Sequence, residues 1–352
     1  MNRRWMLISL LGVLLAGCST KDDAAGGGAA GTPEKKDGAL SLVFIPKSSA
    51  NPYFDNLAEG VTQASGKFGF EASTQAPTAA DATSQISVIK DQVQRGVGAV
   101  VLSSNSPDAL NETLDEVRKK GVVVVTVDSD LTGNEEHRDL GVMPVDPATI
   151  GPSQIELMGK LMNYEGEFAI LSATVDAPNQ NAWIEGMKKT LQEPKYAKMK
   201  LVATVYGDDE AEKSSTETQA LLTKYPNLKG ILSPTSVGLA AAAQVLDNAG
   251  VYPGGANAKN GGIVLTGLST PDQLRKACEK GVVPEFQLWS PSDAGYVASY
   301  IAQQIAAKKI EVKEGLKIEI PGMSAVTVGP KNTVFVGPLV TFNKGNIANY
   351  KF

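Results

Sequence analysis

Residues 42–54 read Leu42-Val-Phe-Ile-Pro-Lys-Ser-Ser-Ala-Asn-Pro-Tyr-Phe54, and this stretch decides the predicted fold. Leu42–Ile45 is a short apolar run, typical of a parallel strand that is covered on both faces. A polar loop carrying Lys47 follows, and a helix is predicted to begin near Pro52, because proline suits the first helical turn. In open α/β sheets the loop at the carboxyl end of a strand binds ligands. We therefore expect Lys47 to Phe54 to form one wall of a binding site.

The rest of the chain alternates in the same way and predicts an α/β fold with two doubly wound parallel sheets. In the first run, strands are predicted over 41–46, 71–75, 99–103 and 122–127, and helices over 52–67, 81–95 and 107–119. In the second run, strands are predicted over 167–172, 201–206, 230–233, 262–268 and 283–289, and helices over 149–161, 181–191, 210–224, 237–249 and 272–280.

Two such runs predict two lobes joined by a hinge, with a ligand cleft between them. The first lobe is expected to end near Gly141–Asp146. We assign 40–144 and about 290–316 to the N-terminal lobe. The C-terminal lobe receives 145–289 and about 317–352.

The N-terminus is predicted to be a targeting segment. Residues 1–18 combine two arginines with an apolar segment that is too short to span a bilayer comfortably, and they end in Leu15-Ala-Gly-Cys18. This ending resembles the bacterial lipobox, which implies acylation of Cys18; the alternative is an ordinary secretory signal with an incidental cysteine. Residues 19–39, rich in Ala and Gly, predict a flexible tether. We expect a lipid-anchored protein of the cell envelope.

Composition excludes several classes of function. The net charge of −5 argues against nucleic acid as the main partner. His137 is the single histidine, so a Ser-His-Asp triad or a multi-histidine zinc site would rest on it alone. The segment Gly60–Lys67 imitates a phosphate-binding loop, but its glycines are one residue too far apart and lie on a predicted helix. We expect no cofactor and no metal.

Two carboxylates, Asp128 and Asp130, end the β-branched strand 122–127. We expect one of them to point into a cleft, where it would accept hydroxyl hydrogen bonds of a sugar, while the other makes local contacts. The alternative is a carboxylate that only caps a turn. A calcium loop from Asp128 to Asp139 is a second alternative, although a strand enters it and its last position is Asp where Glu is usual.

The second lobe offers its own polar loops after predicted strands. Asn179 and Gln180 stand at a helix start and supply both donors and acceptors, while Pro234 and Ser236 follow the next strand. Trp289 is either a stacking surface for a sugar or a packed core residue. Asp208-Asp-Glu210 is explained as the favourable start of a helix.

These motifs together resemble the type 1 periplasmic sugar-binding proteins of ABC importers, in particular the rhamnose-binding and autoinducer-2-binding group. The resemblance covers residues 41–352 and rests on motifs in the right order: Phe-Ile-Pro-Lys47, Val-Asp-Ser-Asp130, Asn-Gln-Asn-Ala-Trp183, Tyr-Gly-Asp-Asp209, Ser-Pro-Thr-Ser236 and Gln-Leu-Trp289.

The resemblance implies particular ligand-binding residues. The autoinducer-2 relative uses a Lys, an Asp, an Asp-Gln pair and a Pro-x-Ala turn, and here Lys47, Asp128, Gln180 and Pro234 match. Asn179 replaces the Asp of the pair, and Ser236 replaces the Ala. These two differences favour a deoxyhexose such as rhamnose.

The predicted protein is thus a monomeric, lipid-anchored solute receptor that binds a monosaccharide by hinge closure and presents it to an ABC permease. Lys47, Asp128, Asp130, Asn179, Gln180, Pro234 and Ser236 would bind the sugar, with Phe54 and Trp289 as apolar walls. A rival interpretation is a sugar-active enzyme in which Asp128 pairs with Asp130 or Asp208. A sensory receptor domain is a third.

Overall fold

The computed structural model describes residues 39–49 and 51–352. The predicted signal peptide, Cys18 and nearly all of the predicted tether lie outside the described residues. The first run of alternating elements comprises β1 (Ser41–Ile45), α1 (Tyr53–Phe68), β2 (Glu71–Thr74), α2 (Ala82–Gln94), β3 (Ala99–Leu102), α3 (Asn111–Lys119), β4 (Val123–Val127) and β5 (Leu140–Met143).

The second run of elements builds another sheet, and the chain then returns to the first sheet. The second run comprises α4 (Pro147–Leu161), β6 (Glu165–Ser172), α5 (Pro178–Thr190), β7 (Lys198–Tyr206), α6 (Ala211–Lys224), β8 (Leu228–Ser233), α7 (Ser236–Ala249), β9 (Val264–Gly267), α8 (Pro271–Lys280) and β10 (Glu285–Leu288). The last elements are α9 (Pro291–Ala306), β11 (Lys317–Ile318), β12 (Val326–Thr327), β13 (Thr333–Phe335) and β14 (Val340–Asn343).

Each lobe is built on its own parallel sheet. The first sheet has the strand order β13-β5-β4-β3-β1-β2 and the second the order β7-β6-β8-β9. Strands β10 and β14 form an antiparallel pair, and a bridge between Leu268 and Gln287 joins this pair to the end of β9. The predicted α/β fold of two doubly wound parallel-sheet lobes is confirmed.

Helix α9 fixes the position of α1, the helix that begins the binding wall predicted from the sequence. The two helix backbones cross where glycines allow close approach. A Cβ added at Gly60 would lie 1.8 Å from the carbonyl oxygen of Ser292, and one at Gly295 would lie 2.1 Å from that of Leu57. Helix α9 therefore packs closely against α1 of the first lobe.

The sequence analysis was wrong about part of the C-terminal segment. It assigned 317–352 to the second lobe, but β13 pairs in parallel with β5 at the edge of the first sheet. The carbonyl oxygen of Pro321, between β11 and β12, also accepts bonds from Lys67 and Tyr296 of the first-lobe helices. Strand β5 lies where the lobe was expected to end. A strand as short as β13 carries little periodicity, and its place in the sheet depends on a partner that is distant in sequence.

Candidate functional site

A cavity lies where the carboxyl ends of the two parallel sheets face each other, and we call it the interlobe cavity. Its position is the one expected for ligands in open α/β sheets. Its lining combines charged, amide and aromatic side chains from both lobes: Lys47, Asn51, Tyr53, Phe54, Asp128, Asn179, Gln180, Trp183, Asp209, Pro234, Thr235, Ser236, Leu268, Leu288 and Trp289.

Lys47 enters the cavity from the loop after β1 and spans the cleft. Its side chain is 4% exposed, and Nζ donates a 2.7 Å hydrogen bond to Oδ1 of Asn179 in the second lobe. The loop backbone is held by Asn105, whose Nδ2 donates to the carbonyl oxygen of Lys47 at 2.9 Å. Burial lowers the pKa of Lys47, although the nearby Asp128 and Asp209 oppose this shift.

Asp128 presents its carboxylate from the end of β4, with a left-handed φ of 67°. The hydroxyl groups of Tyr53 and Ser103 donate to it at 2.8 Å and 3.2 Å, and Nδ2 of Asn179 lies 3.5 Å from it. Burial raises the pKa of Asp128, while Lys47 and the two hydroxyl donors pull in the opposite direction. Asp128 therefore occupies the position that the sequence analysis assigned to a hydroxyl acceptor.

Asp130, predicted as a ligand-binding residue, does not line the interlobe cavity. Arg138 donates two hydrogen bonds to its carboxylate, at 2.6 Å and 2.8 Å, and Thr126 donates a third at 2.6 Å. Burial acts to raise the pKa of Asp130, but the hydrogen bonds and charge of Arg138 outweigh it and hold the pKa below its ordinary value. The chain leaves the extended conformation at Asp128, and this separates the two carboxylates. That of Asp130 is bound by Arg138 and Thr126.

The calcium-loop alternative has no support from this geometry. Asp139 accepts hydrogen bonds from Arg118 and from the backbone N–H of Val124. Asp130 is bound by Arg138, so two of the carboxylates that such a loop would need already have cationic partners. Among the described residues there is no group of three or more His, Cys, Asp or Glu side chains that could hold a metal ion.

Asn179 and Gln180 reach the cavity from the first turn of α5. Oδ1 of Asn179 accepts from Lys47, whereas Oε1 of Gln180 accepts from the hydroxyl of Ser172 and the N–H of Ala173 at 2.7 Å and 2.8 Å. The Gln180 oxygen is thus committed to the end of β6, and this fixes the side chain at the cavity wall.

The turn after β8 makes a second connection across the cleft. Pro234 and Ser236 line the cavity as predicted, and the Ser236 hydroxyl donates a 3.0 Å bond to Oδ1 of Asn51 in the first lobe. Polar side chains of both lobes therefore bond to one another directly across the cavity.

Aromatic side chains form one wall of the interlobe cavity. Nε1 of Trp289 donates a 2.8 Å bond to the hydroxyl of Tyr53, and the two rings meet edge to face. Trp183 packs edge to face on the other side of Trp289 with ring centroids 5.7 Å apart. Phe54 packs edge to face against Tyr53 with ring centroids 5.2 Å apart. Trp289 is thus both a core residue and a cavity wall, and its stacking on a sugar stays a prediction.

The sequence analysis did not individually select seven of the lining residues: Asn51, Tyr53, Trp183, Asp209, Thr235, Leu268 and Leu288. Asn51 and Tyr53 lie in the stretch that decided the fold, and Trp183 lies in the motif that follows Asn179, so their proximity to selected residues was the available signal. Asp209 was explained as part of a helix start, and Thr235 was passed over between Pro234 and Ser236. Asp209 is the third residue after the end of β7, where a carboxylate deserved the same interpretation as Asp128.

Two sheet-bearing lobes with a polar and aromatic cavity between their strand ends define a two-lobed solute-binding protein. A family model described as a periplasmic binding protein domain matches residues 42–310. The chain belongs to this family, and the family implies a location outside the cytoplasm. Within the described residues, no helix is both long and apolar enough to cross a membrane.

Solved structures of sugar transport proteins are similar over most of the chain. An ABC transporter solute-binding protein of Clostridium phytofermentas with bound L-rhamnose is 30% identical, with a TM-score of 0.83, covering 89% of this chain and 98% of that one. LsrB of Clostridium saccharobutylicum in complex with AI-2 is 25% identical, with a TM-score of 0.82, covering 89% of this chain and 100% of that one. The D-ribose/D-allose-binding protein of Pseudomonas aeruginosa is 26% identical over 221 residues, which are 61% of this chain and 67% of that one. These relatives are transport proteins that bind sugars or AI-2, not enzymes.

Proposed function

We propose that this protein is the substrate-binding lipoprotein of an ABC importer, and that it captures a monosaccharide, with a rhamnose-like deoxyhexose favoured. The observation that carries the proposal is the convergence of Lys47 and Asp128 from one lobe with Asn179 and Ser236 from the other on one cavity. A ligand that bonds to both lobes stabilises only the closed arrangement, so binding drives hinge closure.

The ligand-binding residues of this proposal are Lys47, Phe54, Asp128, Asn179, Gln180, Pro234, Ser236 and Trp289. Hydroxyl groups of the sugar replace the direct bonds between Lys47 and Asn179 and between Ser236 and Asn51. Lipid attachment at Cys18 would hold the closed protein near its permease.

Autoinducer-2 is the second candidate ligand. Lys47, Asp128, Gln180 and Pro234 match the resemblance to the autoinducer-2 relative, and the AI-2 complex has almost the same TM-score as the rhamnose complex. Asn179 and Ser236 depart from that pattern, and the rhamnose-bound structure has the higher sequence identity. Both points favour a rhamnose-like sugar over autoinducer-2 as the ligand.

The test is a thermal-shift and calorimetric screen of the purified protein against L-rhamnose, ribose, galactose, xylose and autoinducer-2. We expect one sugar to raise the melting temperature and to be recovered unchanged after incubation, because a binding protein is stabilised by its ligand and releases it intact. Conversion of the sugar into a product would support an enzyme instead. No shift with any neutral sugar would contradict the proposal.

A further inference from the structure

The interlobe cavity contains a second buried carboxylate, Asp209, from the lobe opposite Asp128. It follows β7 in the second lobe and is 4% exposed. The hydroxyl of Thr235 donates a hydrogen bond to it, and the side chain of Asn51 from the first lobe also bonds to it. Asp209 therefore faces the cavity and is held there from both lobes.

The backbone at Asp209 resembles that at Asp128. Both residues have a left-handed φ, 55° for Asp209 and 67° for Asp128. Such a conformation is uncommon for residues other than glycine and is maintained only where the surrounding structure requires it, often at functional sites. Each lobe thus uses a strained residue just after a strand to direct one carboxylate into the same cavity.

The neighbouring Asp208 shares this backbone conformation, but its side chain does not line the cavity. It also has a left-handed φ, of 54°, yet its side chain is 40% exposed and bonds to Lys213 on the protein surface. Of the two consecutive aspartates, only Asp209 lines the cavity.

The charges in the cavity do not balance. Lys47 is the single cationic side chain among the cavity-lining residues described above, and it interacts with both Asp128 and Asp209. Two carboxylates with one ammonium group leave an excess of negative charge and of hydrogen-bond acceptors in a buried site. A ligand that donates hydroxyl hydrogen bonds to both carboxylates suits this site, whereas a like charge placed there is strongly disfavoured.

We propose that Asp209 is a ligand-binding and specificity-determining residue, which accepts sugar hydroxyl hydrogen bonds from the second lobe and, with Asp128, rejects anionic derivatives of the sugar. Asp209 is the counterpart of Asp128, so one ligand bonds to a carboxylate on each side of the cleft. The inference rests on the proposed sugar-binding function and adds selectivity for neutral over phosphorylated or acidic sugars.

The experiment compares the purified wild type with Asp209→Asn and with Asp208→Asn, a matched control that removes the same charge one residue away. Calorimetry measures binding of L-rhamnose, or of the panel sugar that the wild type binds best, and of the 1-phosphate of the same sugar. Circular dichroism and a thermal melt establish that each variant is folded.

We expect Asp209→Asn to weaken binding of the neutral sugar about 10- to 100-fold, the effect of losing a hydrogen bond to a charged group. Asp208→Asn should stay within about twofold of the wild type, since surface charges contribute little. The wild type should bind the 1-phosphate at least about 100-fold more weakly than the sugar, and Asp209→Asn should narrow this ratio about 10-fold.

Several results would overturn the inference. Unchanged affinity in Asp209→Asn, or an equal loss in Asp208→Asn, would refute the role of Asp209. Equal binding of the sugar and its 1-phosphate by the wild type would refute the charge argument even if the variant failed to fold. Absence of binding to any panel sugar by the wild type would instead refute the proposed function itself, and the inference with it.

Discussion

Replacement of Tyr53 by phenylalanine tests how the aromatic side chains of the interlobe cavity are connected to the carboxylate of Asp128. The Tyr53 hydroxyl donates to Asp128 and accepts from Nε1 of Trp289, both at 2.8 Å. A hydrogen bond to a charged group is worth about 1.5–3 kcal/mol, and a buried N–H left without a partner costs about 1–3 kcal/mol. Phenylalanine has no hydroxyl group that needs a hydrogen-bond partner, and this offsets part of the loss. We therefore expect Tyr53→Phe to reduce the free energy of unfolding by about 3 kcal/mol.

Sugar binding should also weaken in this variant. Asp128 would keep only Ser103 at 3.2 Å and Asn179 at 3.5 Å as hydrogen-bond donors, so its carboxylate would be less well oriented. We expect an affinity loss of about 10-fold, which corresponds to about 1.4 kcal/mol.

Urea unfolding measures the stability of Tyr53→Phe, and calorimetry with the sugar found in the screen measures its affinity. Tyr300→Phe is the matched control because it removes a tyrosine hydroxyl on α9, outside the interlobe cavity. A double-mutant cycle with Trp289→Phe should give a coupling energy of about 1 kcal/mol or more. If Tyr53→Phe is as stable as the control and shows no coupling to Trp289, the connection described here does not contribute to the site.

Three further predictions concern other charged and packed positions. Asp130→Asn should cost about 3 kcal/mol of stability, since it leaves the buried guanidinium of Arg138 without its carboxylate, while calorimetry should find sugar affinity unchanged. The raised pKa of Asp209, caused by burial and opposed by Thr235 and Lys47, means that the folded protein binds this proton more tightly than the unfolded chain does. Its contribution to stability is therefore present at low pH and is lost as the pH rises above about 4. Thermal melts should show the stability of Asp209→Asn increasing relative to that of the unliganded wild type as the pH is raised from about 4. An equal gain in Asp208→Asn would contradict this assignment. Gly60→Ala should lower the urea midpoint markedly, because the added Cβ would overlap the α9 backbone, whereas Gly66→Ala on the same helix, with open space around it, should not.

Much of the architecture was accessible from local sequence. Apolar runs such as Leu42–Ile45 and Val123–Val127 are continuous because both faces of a parallel strand are covered, and the helices between them carry their own periodicity and end signals. Strand ends can therefore be located, and so can the polar residues that follow them. This is why the sequence alone identifies Lys47, Asp128, Asn179 and Ser236 as candidate site residues.

Tertiary structure decided what local pattern does not encode. Strand β13 pairs with β5 across nearly 200 residues of sequence, so periodicity did not show β13 as part of the first sheet. Which of Asp128 and Asp130 enters the cavity depends on where Arg138 packs. Asp209 belongs to the site because its lobe faces Lys47 and Asn51 of the other lobe. The sequence by itself determined the two lobes and most of the strand-end residues, since these depend on local pattern. Only the packing of the lobes decided which polar groups share one buried cavity, because burial and charge pairing are properties of residues that are distant in the chain.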